Sequence, residues 1–172
     1  MSSNWIYEHE EEKHVRYVLG EIGGNPLICI GVNPSTAKPD NLDRTLNKIK
    51  KHSERKNKYS GWIMLNVYPL RETNPDRLPQ SKDEDIHKLN INKITKIIQE
   101  YPDSDILCAW GTPIKKRDYL KECLKDIIDV IGTQHLKMID ITKYGHPRHP
   151  LYCKTPFRLK KFDVNKYEYL NL

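Results

Sequence analysis

Four short segments of the chain concentrate the side chains that could do chemistry. Gly31-Val32-Asn33-Pro34-Ser35-Thr36-Ala37 offers an amide and two hydroxyls. Asn66-Val67-Tyr68-Pro69-Leu70-Arg71 offers a second amide, a phenol and a guanidinium. Trp110-Gly111-Thr112-Pro113 sets an indole before a proline turn. Gly145-His146-Pro147-Arg148-His149-Pro150 brings two imidazoles and an arginine. Amides donate and accept hydrogen bonds, and imidazoles move protons or ligate metals. Each segment also has a plainer explanation. Asn33-Pro34 can be a turn, since both residues favour turns. Asn66 can terminate a strand, and Trp110 can be a core aromatic. His146 and His149 form an H-x-x-H pair, but on a proline-rich loop without a nearby carboxylate triad.

The elements between these segments say how they are positioned. Leu27-Ile28-Cys29-Ile30 and Trp62-Ile63-Met64-Leu65 are short continuous apolar runs, as expected of strands buried on both faces. Asp105–Trp110 and Leu136–Ile141 read as two more strands. Thr45–Asn57 reads as a helix with Leu46 and Ile49 on one face. Ser81-Lys82-Asp83-Glu84 reads as a capping box opening a helix to about Glu100, with Ile86, Leu89, Ile94, Ile97 and Ile98 inward. Thr112-Pro113 offers an N-cap and first-turn proline for a further helix. Strands alternating with amphipathic helices predict an α/β fold. The expected form is three-layer α/β/α around a central, mainly parallel four-stranded sheet. His14–Ile22 reads as a strand able to add an antiparallel edge at the N-terminal end. All four chemical segments then fall at the carboxyl ends of strands, where open parallel sheets bind ligands.

Composition narrows the classes. A chain of 172 residues fits a single domain over 1–172, with 1–12 expected to be a loose segment. No apolar run reaches the ~18 residues of a membrane span, so no membrane partner is expected. The polar, acidic start from Met1 to Glu12 resembles neither a signal nor a transit peptide, so the expected location is cytoplasmic. The four cysteines form no C-x-x-C pair, and Cys29 and Cys108 lie in apolar runs, which argues against zinc and iron–sulfur sites. The glycines of a phosphate loop and the G-x-S-x-G elbow are missing. Net charge is +6, clustered at Lys48–Lys58, Lys115–Arg117 and Lys154–Lys161. Such clusters suit nucleic acid, and equally a solvated lysine-rich surface.

Two resemblances attach to these motifs. Asn33-Pro34-Ser35-Thr36-Ala37 together with Gly145-His146-Pro147-Arg148-His149-Pro150-Leu151-Tyr152 resembles domain-of-unknown-function family 1643. Gly31-Val32-Asn33-Pro34, the run Met64–Arg71, the strand ending at Trp110-Gly111, and Gly145-His146-Pro147 resemble the uracil-DNA glycosylase superfamily, with a first motif of the mismatch-specific type. That second resemblance implies a glycosylase-like fold and hydrolysis of the N-glycosidic bond of a damaged or modified pyrimidine flipped out of DNA. It assigns Asn33 to orienting water and His146 to the leaving base. Asn66, Tyr68 and Trp110 would hold the base. Ser35, Thr36, Arg71, Arg148 and His149 would hold phosphates. No cofactor and no metal are implied, and DNA is favoured over RNA as partner of a monomeric protein. Leu151 and Arg148 are both candidates for the wedge. The chain departs from the uracil enzymes in having Asn33 where they carry an acid and Ser35 where a tyrosine excludes thymine. A non-catalytic nucleic-acid binding domain, a metal-dependent phosphoesterase using His146 and His149, and a protein-interaction domain stay open as alternatives.

Overall fold

A computed structural model describes residues 4–55 and 58–171. The elements run β1 (Trp5–Glu10), β2 (Val15–Glu21), β3 (Leu27–Gly31), α1 (Arg44–Ser53), β4 (Trp62–Asn66) and α2 (Glu84–Glu100). They continue with β5 (Ile106–Cys108), α3 (Asp118–Ile131), β6 (Leu136–Met138), β7 (Lys160–Lys161) and the short α4 (Glu168–Asn171). One seven-stranded sheet has the order β1-β2-β4-β3-β5-β6-β7. The four expected strand segments pair in parallel as β4-β3-β5-β6. The sheet is nevertheless mixed rather than four-stranded. The β1-β2 hairpin closes one edge and β7 the other, all in antiparallel pairing.

Alternation along the central strands divides the core in two. Ile28, Ile30, Ile63, Leu65, Ile106 and Cys108 share one cluster with the buried faces of α2 and α3. Leu27, Cys29, Trp62, Met64, Leu107 and Ala109 share a second with Leu46 and Ile49 of α1. Successive residues of a strand point to opposite faces, so continuous apolar runs serve both clusters. Among the described residues no helix is long and apolar enough to cross a membrane.

Several expected boundaries move. Residues 5–10, expected to be loose, form β1, because Ile6 packs on the first core cluster and Trp5 and Tyr7 on the second. Trp5 also meets Trp62 edge-on. Met1–Ser3 lie outside the described residues, as do Lys56 and Asn57 at the expected end of the first helix. That helix spans Arg44–Ser53, capped by the Asp43 side chain. The cap of α2 is Asp83, whose carboxylate accepts from the backbone N–H of Asp85 and Ile86, so the helix starts after Ser81. Thr112-Pro113 opens a 3-10 turn, and α3 begins only at Asp118.

Deleting residues 1–10 should therefore destabilise the fold. It removes six cross-strand pairs and leaves β2 as a bare edge. Urea unfolding should show a loss of about 2 kcal/mol or more. An unchanged midpoint would mean that β1 is dispensable.

Candidate functional site

The parallel ladder delivers the strand ends together. β3 and β4 pair in register to their last residues, Gly31 beside Asn66. Pairing continues beyond the strands, with Val67 N–H donating to Gly31 O at 2.8 Å and Tyr68 N–H to Val32 O at 2.9 Å. Gly111 N–H donates to Pro147 O at 2.8 Å, tying the end of β5 to the histidine-bearing loop. The loops surround a cleft of about 550 Å³. Its wall includes apolar surface from Val32, Pro34, Met64 and Pro113.

Asn66 stands at this cleft with an unusual hydrogen-bond account. It is 1% exposed, and among the described residues neither its Nδ2 nor its Oδ1 has a partner. A buried polar atom left unpaired costs about 1–3 kcal/mol. The backbone of Asn66 is anything but loose. Its carbonyl accepts from Asn90 Nδ2 at 3.0 Å, and the same amide reaches Val67 O at 3.4 Å. The main chain that carries this side chain is thus anchored, while the donor and acceptor of the amide go unused among the described residues.

The other amide is committed differently. Asn33 Nδ2 donates to Glu72 O at 2.7 Å, Leu70 O at 3.2 Å and Pro34 O at 3.3 Å. Its NH2 group therefore fastens the 70–72 loop. Ser35 Oγ donates to Asp43 Oδ2 at 2.5 Å, while Asp43 Oδ1 caps α1 through Leu46 N–H at 2.9 Å.

The two histidines part company. His146 is 2% exposed and lies off the cleft. Its Nδ1 shares a 2.6 Å hydrogen bond with the Tyr167 hydroxyl, and its ring meets Tyr169 edge-on. His149 borders the cleft. Its Nδ1 accepts from Leu151 N–H at 3.2 Å, which puts the neutral ring's proton on Nε2. Burial pushes His149 down to about 4. Asp43 opposes that shift and Lys48 adds to it. Burial, with help from Lys115, also lowers His146.

Of the predicted site residues, Asn33, Ser35, Asn66, Trp110, Arg148 and His149 border the cleft, and Thr36, Tyr68, Arg71 and His146 do not. Trp110 is fully buried, with Nε1 donating to Tyr167 at 3.1 Å and its ring edge-on to Phe162. It forms a wall of the cleft rather than an open stacking platform. Tyr68 is spent on the fold, its hydroxyl accepting from Asp83 N–H at 2.9 Å. Arg71 donates to the Tyr7 hydroxyl and lies over that ring. Thr36 is exposed.

Sequence reasoning missed three supports. Asn90 occupies the inward stripe of α2 with Ile86, Ile94 and Ile97, and an amide on an apolar stripe was the available signal. Arg16, inside the strand run Val15–Leu19, is buried and borders the cleft. Lys48, grouped with the basic surface, is a strut. Its ammonium donates to Leu151 O at 2.9 Å, Cys153 O at 3.0 Å and Pro150 O at 3.4 Å. Among the described residues no three His, Cys, Asp or Glu side chains cluster so as to hold a metal ion.

The model of a family of proteins of unknown function, DUF1643, matches residues 16–151. The chain belongs to that family. The match takes in every residue that borders the cleft except Tyr152. No curated protein and no solved structure matches the chain.

The histidine geometry predicts a pH response. Nitrogen NMR of the imidazoles should show His149 as the Nε2–H tautomer, neutral at pH 5.5 and protonated only near pH 4. Between the ordinary value of 6.5 and about 4 the unfolded chain takes up the proton first. Stability should therefore fall as pH drops through that window. A His149 titration near 6.5 would contradict the placement.

Proposed function

We propose that the cleft receives a nucleobase and that the protein is a DNA glycosylase-like hydrolase acting on a damaged or modified pyrimidine. The observation that carries this reading is the buried Asn66 amide, with one donor edge and one acceptor edge unused at the cleft. A pyrimidine edge with N–H beside C=O is its complement, and two such bonds on a fixed plane orient the ring. Apolar surface from Val32, Pro34 and Met64 suits the faces of a heterocycle. In this proposal the fold is of the uracil-DNA glycosylase type, which the motifs resemble.

Hydrolysis of the N-glycosidic bond leaves negative charge on the departing base. A neutral imidazole with its proton on Nε2 can donate to the base oxygen as that charge grows. His149, not His146, has that form at the cleft. Water adds at the sugar carbon, the C–N bond breaks with its electron pair going to the base, and the proton lost by water passes to solvent. The Asn33 carbonyl oxygen, which accepts from no described residue, can orient that water. An amide is a poor base, so turnover is expected to be slow. Arg148 at the cleft and Tyr152, 75% exposed at its rim, face the strand from which the nucleotide is extruded.

A second reading is a non-catalytic nucleotide-binding domain. It is favoured by one observation: polar groups that border the cleft are tied up within the protein, with the Asn33 NH2 on three carbonyls and both Asp43 oxygens hydrogen-bonded.

Oligonucleotides bearing uracil, mismatched thymine or hypermodified pyrimidines separate the two. Wild-type protein should release free base from at least one, detected by mass spectrometry. Asn66→Ala should lose about 10- to 100-fold in affinity, the worth of one or two hydrogen bonds. Its unfolding midpoint should be unchanged or higher, because two unpaired buried atoms are removed and the Asn90 bond to the main chain is kept. Binding without release would select the second reading. Neither binding nor release, or an indifferent Asn66→Ala, would overturn both.

A further inference from the structure

The chemistry of the cleft includes a cation that the nucleobase reading does not use. Arg16 is 2% exposed, among the largest fully enclosed side chains of the protein, and it borders the cleft. A guanidinium has five N–H donors. Among the described residues it forms one hydrogen bond, from Nη1 to Ala37 O at 3.0 Å, and its buried Nε has no partner. Among the described residues no carboxylate forms an ion pair with it. Burial disfavours its charge and lowers its pKa to about 10, while Asp43 opposes that shift with oxygens that already accept from Ser35 and from Leu46 N–H. Arg71 is close enough to disfavour that charge. Buried cations are ordinarily paired, because an unpaired one forfeits its hydration for nothing. With a pKa of about 10, Arg16 is still a cation near neutral pH, and it stands at a cleft wall with most of its donors unspent.

Other features around it favour an anion. Arg148 also borders the cleft, and among the described residues its buried Nε lacks a partner and its guanidinium makes one 3.4 Å bond, from Nη2 to Ile141 O. Arg44, the first residue of α1, borders the cleft as well, beside the Asp43 carboxylate that caps this helix and offsets part of the positive charge.

We infer that Arg16 is the anion-binding residue of the cleft and that the ligand carries a phosphate, so that the site takes a pyrimidine nucleotide rather than a bare base or nucleoside. The phosphate half stands on Arg16 and its surroundings, and the pyrimidine half rests on the Asn66 reading above. A planar guanidinium with free N–H groups matches phosphate oxygens in a bidentate manner. A cleft of about 550 Å³ is in the size range of small-molecule sites. The phosphate can belong to a free mononucleotide or to a strand.

Calorimetric titration of the whole protein tests this with thymidine, thymidine 5′-monophosphate, inorganic phosphate and a short oligothymidylate. Wild type should bind the monophosphate at least tenfold more tightly than the nucleoside. Arg16→Met should reduce the monophosphate to the affinity of the nucleoside while leaving the nucleoside unaffected. Arg16→Lys should restore part of the preference. A purely structural Arg16 would weaken both ligands together. Should the variants fail to fold, competition in the wild type replaces them. Inorganic phosphate must then displace the monophosphate and leave thymidine bound. Equal affinity for nucleoside and monophosphate, or a preference that survives Arg16→Met, overturns the inference. Tighter binding of the oligothymidylate than of the monophosphate, dependent on Arg16, identifies the strand as the source. The reverse identifies the free nucleotide. Phosphate binding that needs Arg16 but ignores Asn66→Ala would uphold the anion site and refute the nucleobase reading. Thymidine binding that needs Asn66, with no gain from the phosphate, would do the opposite.

Discussion

The pairing of Gly31 with Asn66 at the carboxyl ends of two parallel strands is the constraint on which the cleft depends. A β-carbon at position 31 would lie 2.7 Å from the Met64 side chain and 3.2 Å from the Asn66 Oδ1. The first distance is closer than carbon atoms pack, so any larger residue would push Met64 aside and crowd the amide. Glycine allows this close approach without any unusual backbone angle; the Met64 methyl is the end of a flexible side chain and can shift, whereas the Asn66 amide is buried. Because the two strands run in register, the spent backbone ladder ends where the unspent Asn66 side chain begins. Asn66, Arg16 and Arg148 each bring a buried side-chain atom without a hydrogen-bond partner among the described residues to the cleft.

The surroundings keep that deficit from collapsing. Asn90 grips the Asn66 main chain from α2. Asn33 draws the 70–72 loop against the first strand-end turn. Lys48 reaches from α1 to the carbonyls of Pro150, Leu151 and Cys153 and fastens the 150–153 turn, whose Leu151 and Tyr152 border the cleft. Each of these residues spends its N–H donors on main-chain carbonyls of the protein. Asn66 and Arg16 are buried at the cleft with donors that have no partner among the described residues, and that difference separates residues that build the cleft from residues available to a ligand. Such unsatisfied groups trade stability for function.

Much of this was legible in the chain. The four parallel strands followed from continuous apolar runs, and the strand-end rule brought Asn33, Asn66, Trp110 and His149 to one cleft. The edges were not legible. β1 is polar and only half-buried, so its pattern resembles a frayed terminus, and β7 is two lysines whose pairing is set by tertiary contact. Within the site, residue type and spacing could not say which way a side chain turns. His146 and His149 are equivalent on paper. Only the packing of Tyr167 and Tyr169 shows that the first is part of the interior. Tyr68 and Arg71 were drawn away by Asp83 and Tyr7, partners far off in sequence or in a segment expected to be loose. Arg16 escaped notice because a lone arginine in a strand ordinarily points to solvent.

The family assignment leaves the activity to be read from the site. The account makes one claim on which the rest turns: the Asn66 amide is a ligand group and not an accident of packing. Side-chain amide NMR during titration with a pyrimidine nucleotide tests it directly. The two Asn66 Nδ2 protons should move on binding, at least one strongly downfield as it takes up an acceptor. The Asn90 amide, already bonded to the main chain, should stay nearly fixed. Binding that leaves the Asn66 protons unmoved, or that shifts remote amides instead, would contradict the account.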